Sequence, residues 1–475
     1  MLVPHPKKRS SNRLLFWCSV CTLLFTFLGT AFVIIAYLSI LPLILAIIHL
    51  TAILTGMILL GVTGREDLRL AILVFSAGWM AMGIGGIFLE VYKDPGQLSS
   101  DAMHFFRLAS AEDAITDLET LRRLTGGALA VVLWQWVYDL FAMIGFPRAQ
   151  YVGIMVNVSV MTVAAILGGR MIQTLFNENV NRLRRYALLF ASSGLFWLFA
   201  GLHLRDAIAT ITVTFLTFIW VRYLASPGSF RRLVFMVAFT MLLTPFLTFL
   251  RTEYFIFPVL YLATAAFSFQ WKDLSNKARM VSPLIMAIAI ASVILLVYQY
   301  GPTVQLILEG RQSDYADLSY EESGAGSVSF QLIVNQPTVV RFPMGLIYLA
   351  IMPVPIWSGF GQGSALLFFR SVNVFSFYLI TAMIIAAVTL YVRNKLLRRP
   401  PLTFILISSL IFVSAIALTS LEVRHVGTIL PGLLVFVSLL DGSKNTDQRI
   451  LKNSLALVLI GAFAAHILWI AAAVI

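Results

Sequence analysis

Three short segments of the chain set an arginine beside a carboxylate at the edge of an apolar run: His203-Leu204-Arg205-Asp206, Arg251-Thr252-Glu253 and Glu422-Val423-Arg424-His425. A guanidinium donates in a planar fork that matches phosphate oxygens. Several of them around one cavity therefore suit an anion with many oxygens, and a diphosphate is the natural guest. A single pair of this kind often only ends a helix or lets a long side chain reach the interface. Pairs gathered on one face would instead line a wet cavity, because a charge at or just inside hydrocarbon is costly unless paired or solvated. Elsewhere, Asp101, His104 and Arg107 precede a charged cluster at 112–123, and Arg311, Asp314, Asp317, Glu321 and Glu322 surround or precede the small-residue run 323–327. That run, and the pair Gly359 and Gly361, lack the strand-to-helix setting of a nucleotide cradle. Cys18 and Cys21 cannot support a disulfide framework or complete a structural zinc site, and read as lipid-facing or packed thiols.

The elements that must carry these residues are membrane helices. Of 475 residues, 59% are hydrophobic and 12% charged, about half the charge of a soluble domain. With a mean hydropathy of +0.89, a soluble globular protein is excluded. The net charge of +12 reads as cytoplasmic loops rather than nucleic-acid binding. No Asp, Glu, Lys or Arg stands between Arg13 and Arg65. A crossing takes about 20 apolar residues, so two fit there, with a turn at Pro42. The first reads as a retained helix rather than a cleaved signal. Charge-poor windows at 70–92, 149–169, 186–203, 207–221, 233–250, 254–271, 280–300, 371–392, 402–421, 426–440 and 453–474 bring the expected total to thirteen crossings.

With the basic amino terminus cytoplasmic, alternate loops collect the cations: Arg65 and Arg69; Arg170, Arg182, Arg184 and Arg185; Arg222, Arg231 and Arg232; Lys272, Lys277 and Arg279. Counting 342–360 as a crossing would put Arg393, Lys395, Arg398 and Arg399 outside. That segment, with Pro343, Pro353 and Pro355, therefore reads as re-entrant or interfacial. The stretch 126–145, interrupted by Asp139 and holding Trp134, Trp136 and Tyr138 suited to the headgroup zone, reads as an interfacial helix. The expected fold class is an all-α polytopic membrane protein. Residues 1–92 hold the amino terminus and three transmembrane helices, 93–148 a large outer loop, 149–300 helices four to nine, 301–370 a second outer loop, and 371–475 helices ten to thirteen. Asp101 and all the Arg-carboxylate pairs then fall on the outer side. The diphosphate most often presented there is the head of a polyprenyl carrier, whose tail would lie between helices. The 36 phenylalanines fit such a groove, and fit ordinary lipid-facing packing as well.

In the order of its segments the chain resembles the GT-C class of polyprenyl-dependent membrane glycosyltransferases and, within it, bacterial O-antigen and exopolysaccharide polymerases. The segment from Ser100 to Ala109 is similar to the class's acidic first-loop motif. An interfacial helix ending in a turn at Phe141 to Pro147 follows, then a crossing with Asn157, a basic stretch from Gly168 to Tyr186, and Leu204-Arg205-Asp206-Ala207 opening a helix. Arg251, and Val423-Arg424-His425 with Pro431 beyond, are similar to the later arginine positions. The resemblance spans about residues 95–435. It departs from the class where Ala102 follows Asp101 in place of a paired acid, where Phe105 and Phe106 replace the more usual Tyr, and where two crossings precede the matching block.

The resemblance implies transfer of a sugar or oligosaccharide from a polyprenyl diphosphate to a glycan acceptor, at the outer face of a bacterial plasma membrane. Asp101 would orient or deprotonate the acceptor hydroxyl, with His104 and His425 as alternates. Arg205, Arg251 and Arg424 would take up charge on the departing diphosphate, and His203 could add a donor. No cofactor is indicated; a divalent metal could take part but is not indicated by these residues. Expected partners are the polyprenyl-linked saccharide, the acceptor, membrane lipid, and export or chain-length-regulating proteins. The second loop, with Tyr315 and Tyr320, could grip the saccharide or stand aside. A flippase for the same lipid would carry its charges at mid-membrane on repeated, broken helices. A scaffold would give no reason for the arginines to converge. An O-antigen ligase or a single-sugar transferase shares the same chemistry.

Overall fold

The computed structural model describes residues 8–92, 101–111, 127–177, 179–226, 230–250, 254, 256–268, 336–351, 356–357, 359–360, 363–418, 421–441 and 444–474, with isolated positions at 287, 291 and 333. These residues are helical, with no strand among them. Helices α1 (Lys8–Tyr37) and α2 (Leu41–Leu59) are joined by a tight turn. There Leu38 takes a left-handed φ of 47° and Ser39 Oγ accepts from the Leu41 N–H at 3.2 Å. Pro42 lies in the first turn of α2, where a missing N–H leaves no gap, so the chain breaks where the sequence places the turn.

Helix α3 (Arg65–Gly86) runs on into a π-helical turn at Ile87–Val91. Then come α4 (Asp101–Ser110), α5 (Ala128–Met143), α6 (Gln150–Phe176), α7 (Val180–Ala191), α8 (Gly194–Gly201), α9 (Asp206–Ala225), α10 (Phe230–Leu250) and α11 (Ile256–Ser268). The last third holds α12 (Thr338–Ile351), α13 (Ala365–Arg393), α14 (Pro400–Leu418), α15 (Val423–Val426), a 3-10 turn at Gly427–Ile429, α16 (Leu430–Val437) and α17 (Asn445–Val474).

Among the described residues, nine helices are long and apolar enough to cross a membrane: α1, α2, α3 with its π turn, α6, α9, α10, α13, α14 and α17. The chain is a multi-pass membrane protein. These helices coincide with nine of the charge-poor windows. Two other windows are broken. The window 186–203 divides at Ser192 and Ser193 into the end of α7 and the eight residues of α8. The window 426–440 divides at the 3-10 turn ahead of Pro431. Such breaks survive at membrane depth only where protein buries them, and Ser193 is fully buried, while the Gly194 N–H donates to Ser376 Oγ at 2.9 Å. The window 254–271 supplies only the 13 residues of α11. The window 280–300 lies outside the described residues apart from two isolated positions, as do most of 93–127 and 301–335.

Helices α3 and α6 fill the centre, whereas α1, α2 and α17 are peripheral and turn Phe27, Leu59, Leu60, Ile460 and Leu468 outward, as lipid-facing helices do. Small residues set how closely the central helices approach. A Cβ on Gly85 would lie 2.2 Å from the Gly201 carbonyl oxygen, so α3 and α8 meet backbone to backbone.

The charges sort to opposite ends of the bundle. One end is bound by Arg184, which donates from Nε and Nη2 to Glu66 Oε2 and Oε1 at 2.8 and 2.7 Å. There also Gln173 Nε2 donates to Asp67 Oδ1 at 2.7 Å and Arg185 Nη1 to the Leu440 carbonyl at 3.0 Å. These contacts gather the start of α3, the end of α6, α7 and the end of α16. Cys18 is buried against the Arg184 backbone, its Sγ 3.9 Å from the carbonyl oxygen, and Cys21 is half-buried.

Candidate functional site

At the other end, the start of α6 faces the connection between α8 and α9. Asn157, wholly buried on α6, donates from Nδ2 to the carbonyls of Leu202 and Leu204 at 2.9 and 3.0 Å. Extended backbone buried at this depth has no helical partners of its own, and one side-chain amide supplies the missing donors. Between those two carbonyls sits His203. Its Nε2 lies 3.0 Å from Tyr138 Oη, and its ring is 3.9 Å from Trp134 and 5.9 Å from Phe106, centroid to centroid. Gly153 makes the room: a Cβ there would lie 2.2 Å from His203 Nε2 and 2.5 Å from Tyr138 Oη. His203 is fully buried, with Nε2 against the Tyr138 hydroxyl. It anchors the connection from inside. Trp134 and Tyr138 are likewise packed in protein rather than set among headgroups, while Trp136 is 67% exposed.

Two residues beyond His203, Arg205 emerges half-exposed, its guanidinium carbon 4.9 Å from the centre of the Phe105 ring. A ring face attracts a cation through its quadrupole and helps fix where it sits. Phe105 belongs to α4, which buries Ala102, Met103, Phe105 and Ala109 and exposes His104 and Arg107. Its rings dock on α5, Phe105 being 6.3 Å from Trp134 and Phe106 5.9 Å from Tyr138. Arg148 fastens the far end of α4, donating to the Ala111 carbonyl at 2.8 Å and to Asp139 Oδ1 at 2.7 Å. Asp101 opens α4 one turn before Phe105. Its backbone is described and its side chain is not.

The third segment enters from the carboxyl-terminal part of the chain. Arg370, in the second turn of α13, donates from Nη2 to both oxygens of Glu422 at 2.8 and 2.9 Å, and Arg424 Nε lies 3.7 Å from Glu422 Oε2. His425 is buried beside them in sequence. Arg251 lies outside the described residues. Tyr254, three positions on, places its hydroxyl 3.1 Å from that of Thr428, which follows Arg424 by four.

Helix α8 joins these parts. A Cβ on Gly201 would lie 2.6 Å from the Phe369 ring, next to Arg370, and one on Gly427 would lie 2.5 Å from the Phe199 ring. The elements bearing Arg205, Arg370 and Arg424 therefore meet around the carboxyl-terminal half of α8. The segment of Asp101 and His104 joins through Phe105 and Phe106. Nothing in the spacing singles out Arg370. Its only signal is a lone cation at the very start of an apolar run of helical length. Gly153 and Tyr138 carry no signal at all, because their role exists only once α5, α6 and the 202–205 connection are assembled. Among the described residues, no group of His, Cys, Asp and Glu side chains is placed to hold a metal ion.

Removing the Asn157 amide should unsatisfy two buried carbonyls. Asn157→Ala is expected to lower stability by about 2 kcal/mol, read as a lower melting temperature of the detergent-purified protein. An unchanged melting temperature would show that water reaches those carbonyls. Compared with known proteins, the chain matches no family model, no curated relative and no solved structure.

Proposed function

We propose that this protein is a membrane glycosyltransferase resembling the GT-C class. In this reading it transfers a sugar or oligosaccharide from a polyprenyl diphosphate to a glycan acceptor at the outer face of a bacterial plasma membrane, as a polysaccharide polymerase does. The thirteen-crossing topology with a cytoplasmic amino terminus belongs to the same reading. The observation that carries it is the meeting of Arg205 with the Asp101 helix: one cation half-exposed over Phe105, its backbone locked by Asn157 and His203, at the end of the bundle where Arg370, Glu422 and Arg424 also lie.

The chemistry needs few groups. The acceptor O–H gives its proton to the Asp101 carboxylate, with His104 or His425 as the other bases within this set, and its oxygen forms a bond to the anomeric carbon. The bond from that carbon to the diphosphate oxygen breaks, and the electron pair leaves with the polyprenyl diphosphate. Arg205, Arg251 and Arg424 take up the charge that grows on the leaving group, and an arginine already fixed in place does so without reorganising. That the charges described lie at the two ends of the bundle favours this over a flippase, which would carry them at mid-membrane.

The test is transfer of a labelled saccharide from its polyprenyl diphosphate to acceptor by the purified, folded protein. Wild-type protein should extend the acceptor, and Asp101→Asn should slow it about a hundredfold. An Asp101→Asn protein with full activity removes Asp101 as the base. A wild-type protein that moves the lipid between leaflets without transferring sugar removes the enzyme reading.

A further inference from the structure

At the end of the bundle that carries Glu66 and Arg184, two helices begin with arginines where a carboxylate is the stabilising residue. Helix α7 opens on Asn179, whose side chain accepts from the Arg182 N–H at 3.2 Å, and its first turn holds Arg182 and no acid. Helix α14 opens on Pro400, directly after Arg398 and Arg399, again with no acid in the first turn. The N-terminus of a helix carries a partial positive charge, so a cation there is repelled and an anion is held. Arg182 cannot turn fully to water. Its side chain is half-buried, its guanidinium carbon lies 4.3 Å from the centre of the Phe176 ring, and its Nε is buried with no hydrogen-bond partner among the described residues. Burial pushes this guanidinium below the ordinary arginine range; Asp441 and Asp447 act against that, while Arg185 and Arg399 add to it, so all four lie within electrostatic reach. Arg185 is tied into the same corner, donating from Nη1 to the Leu440 carbonyl at 3.0 Å, and Asp447 Oδ2 accepts from the Asp441 N–H at 2.7 Å. Three guanidiniums against two carboxylates leave one positive charge beside two positive helix ends. Phe176 closes one membrane-spanning helix and Pro400 opens another, so the corner lies where hydrocarbon gives way to headgroups.

We propose that Arg182, Arg185 and Arg399 form a binding site for a phosphate anion, set between the first turns of α7 and α14. The phosphate oxygens give the Arg182 guanidinium an acceptor and offset the positive charge of both helix ends. The position at headgroup level makes an anionic phospholipid the carrier of that phosphate. Lying at the opposite end of the bundle from Arg205, the site stands independently of the glycosyl transfer proposed there.

Calorimetric titration of the full-length protein in a neutral maltoside detergent reads the site with three probes: dioctanoyl phosphatidylglycerol, dioctanoyl phosphatidylcholine and inorganic phosphate. Phosphatidylglycerol should bind about tenfold more tightly than phosphatidylcholine, whose choline cation is repelled by the same charges. Arg182→Ala should weaken phosphatidylglycerol binding about tenfold. Arg182→Lys, which returns the charge without the fork, should weaken it less. Arg69→Ala is the control for diffuse charge, because that arginine sits at the same end, is paired with Glu66 and is 47% exposed. It should leave the affinity unchanged. Inorganic phosphate binding that Arg182→Ala weakens shows that the phosphate group alone is recognised, and binding confined to phosphatidylglycerol assigns the site to the lipid. Absence of binding by all three probes, equal affinity for the two lipids, wild-type affinity in Arg182→Ala, or an equal loss in Arg69→Ala overturns the site. Should Arg182→Ala not fold, Arg399→Ala takes its place, since that side chain is exposed, and wild-type affinity there overturns the site instead.

Discussion

Under the function proposed above, Arg205→Ala is expected to lower the turnover number for glycosyl transfer by about 10²–10³-fold while leaving the protein folded. The side chain is half-buried, with its guanidinium carbon 4.9 Å from the centre of the Phe105 ring. A cation over a ring at an exposed position contributes about 0.5–1 kcal/mol, which is small beside the charge-stabilising role assigned to it. Its place is fixed from behind by Asn157, which holds the carbonyls on either side of His203. Arg205→Lys should recover part of the rate, because the charge returns without the fork. Single-turnover kinetics on purified protein, with melting temperature as the control for folding, make the measurement. A turnover number within threefold of wild type in Arg205→Ala would detach this arginine from the leaving group.

The second large effect lies at the opposite end of the bundle and concerns stability alone. Glu66→Ala is expected to destabilise the protein by about 3–5 kcal/mol, because it removes the carboxylate that accepts from Arg184 at 2.8 and 2.7 Å. The Arg184 side chain is 9% exposed and cannot turn to water, whereas Arg69, which also meets Glu66, is 47% exposed and can. Exposure decides the magnitude. The Arg148–Asp139 pair, at 26% and 45%, should contribute under about 1 kcal/mol in the same assay. Replacing both Glu66 and Arg184 by methionine should restore much of the loss, since neither charge of the pair is then buried without the other. If Glu66→Ala melts with the wild type, this end of the bundle is wetter than its burial implies.

The nine long helices are legible in the sequence because hydrocarbon demands an unbroken apolar run, and α1, α2 and α17 have little else in them. The turn at Leu38 to Ile40 is legible from Pro42. The two broken windows are not, because hydropathy averages over the backbone. Ser192-Ser193 and Gly427-Thr428-Ile429 are too short to interrupt an apolar average, and the Ser376 hydroxyl and the Phe199 ring that meet them come from distant segments. For the site, residue type alone pointed to Arg205 and Arg424, since a cation beside an apolar run is conspicuous. His203 looked equally conspicuous and proved buried, because the pocket made by Phe106, Trp134, Tyr138 and Gly153 comes from segments up to 97 positions away in the chain. Arg370 was hidden by the reverse effect: its partner Glu422 is 52 positions distant, and local spacing carries no trace of it.

The brevity of α8 has a mechanical outcome. Its first N–H is hooked to Ser376 and its last residue abuts Phe369, so both tips of this eight-residue rod touch α13, while Gly201 is also pressed against the backbone of α3 at Ala81 and Gly85. The residues just before Arg205 are thus clamped between two long helices, and a side chain added at Gly201 would push on both at once.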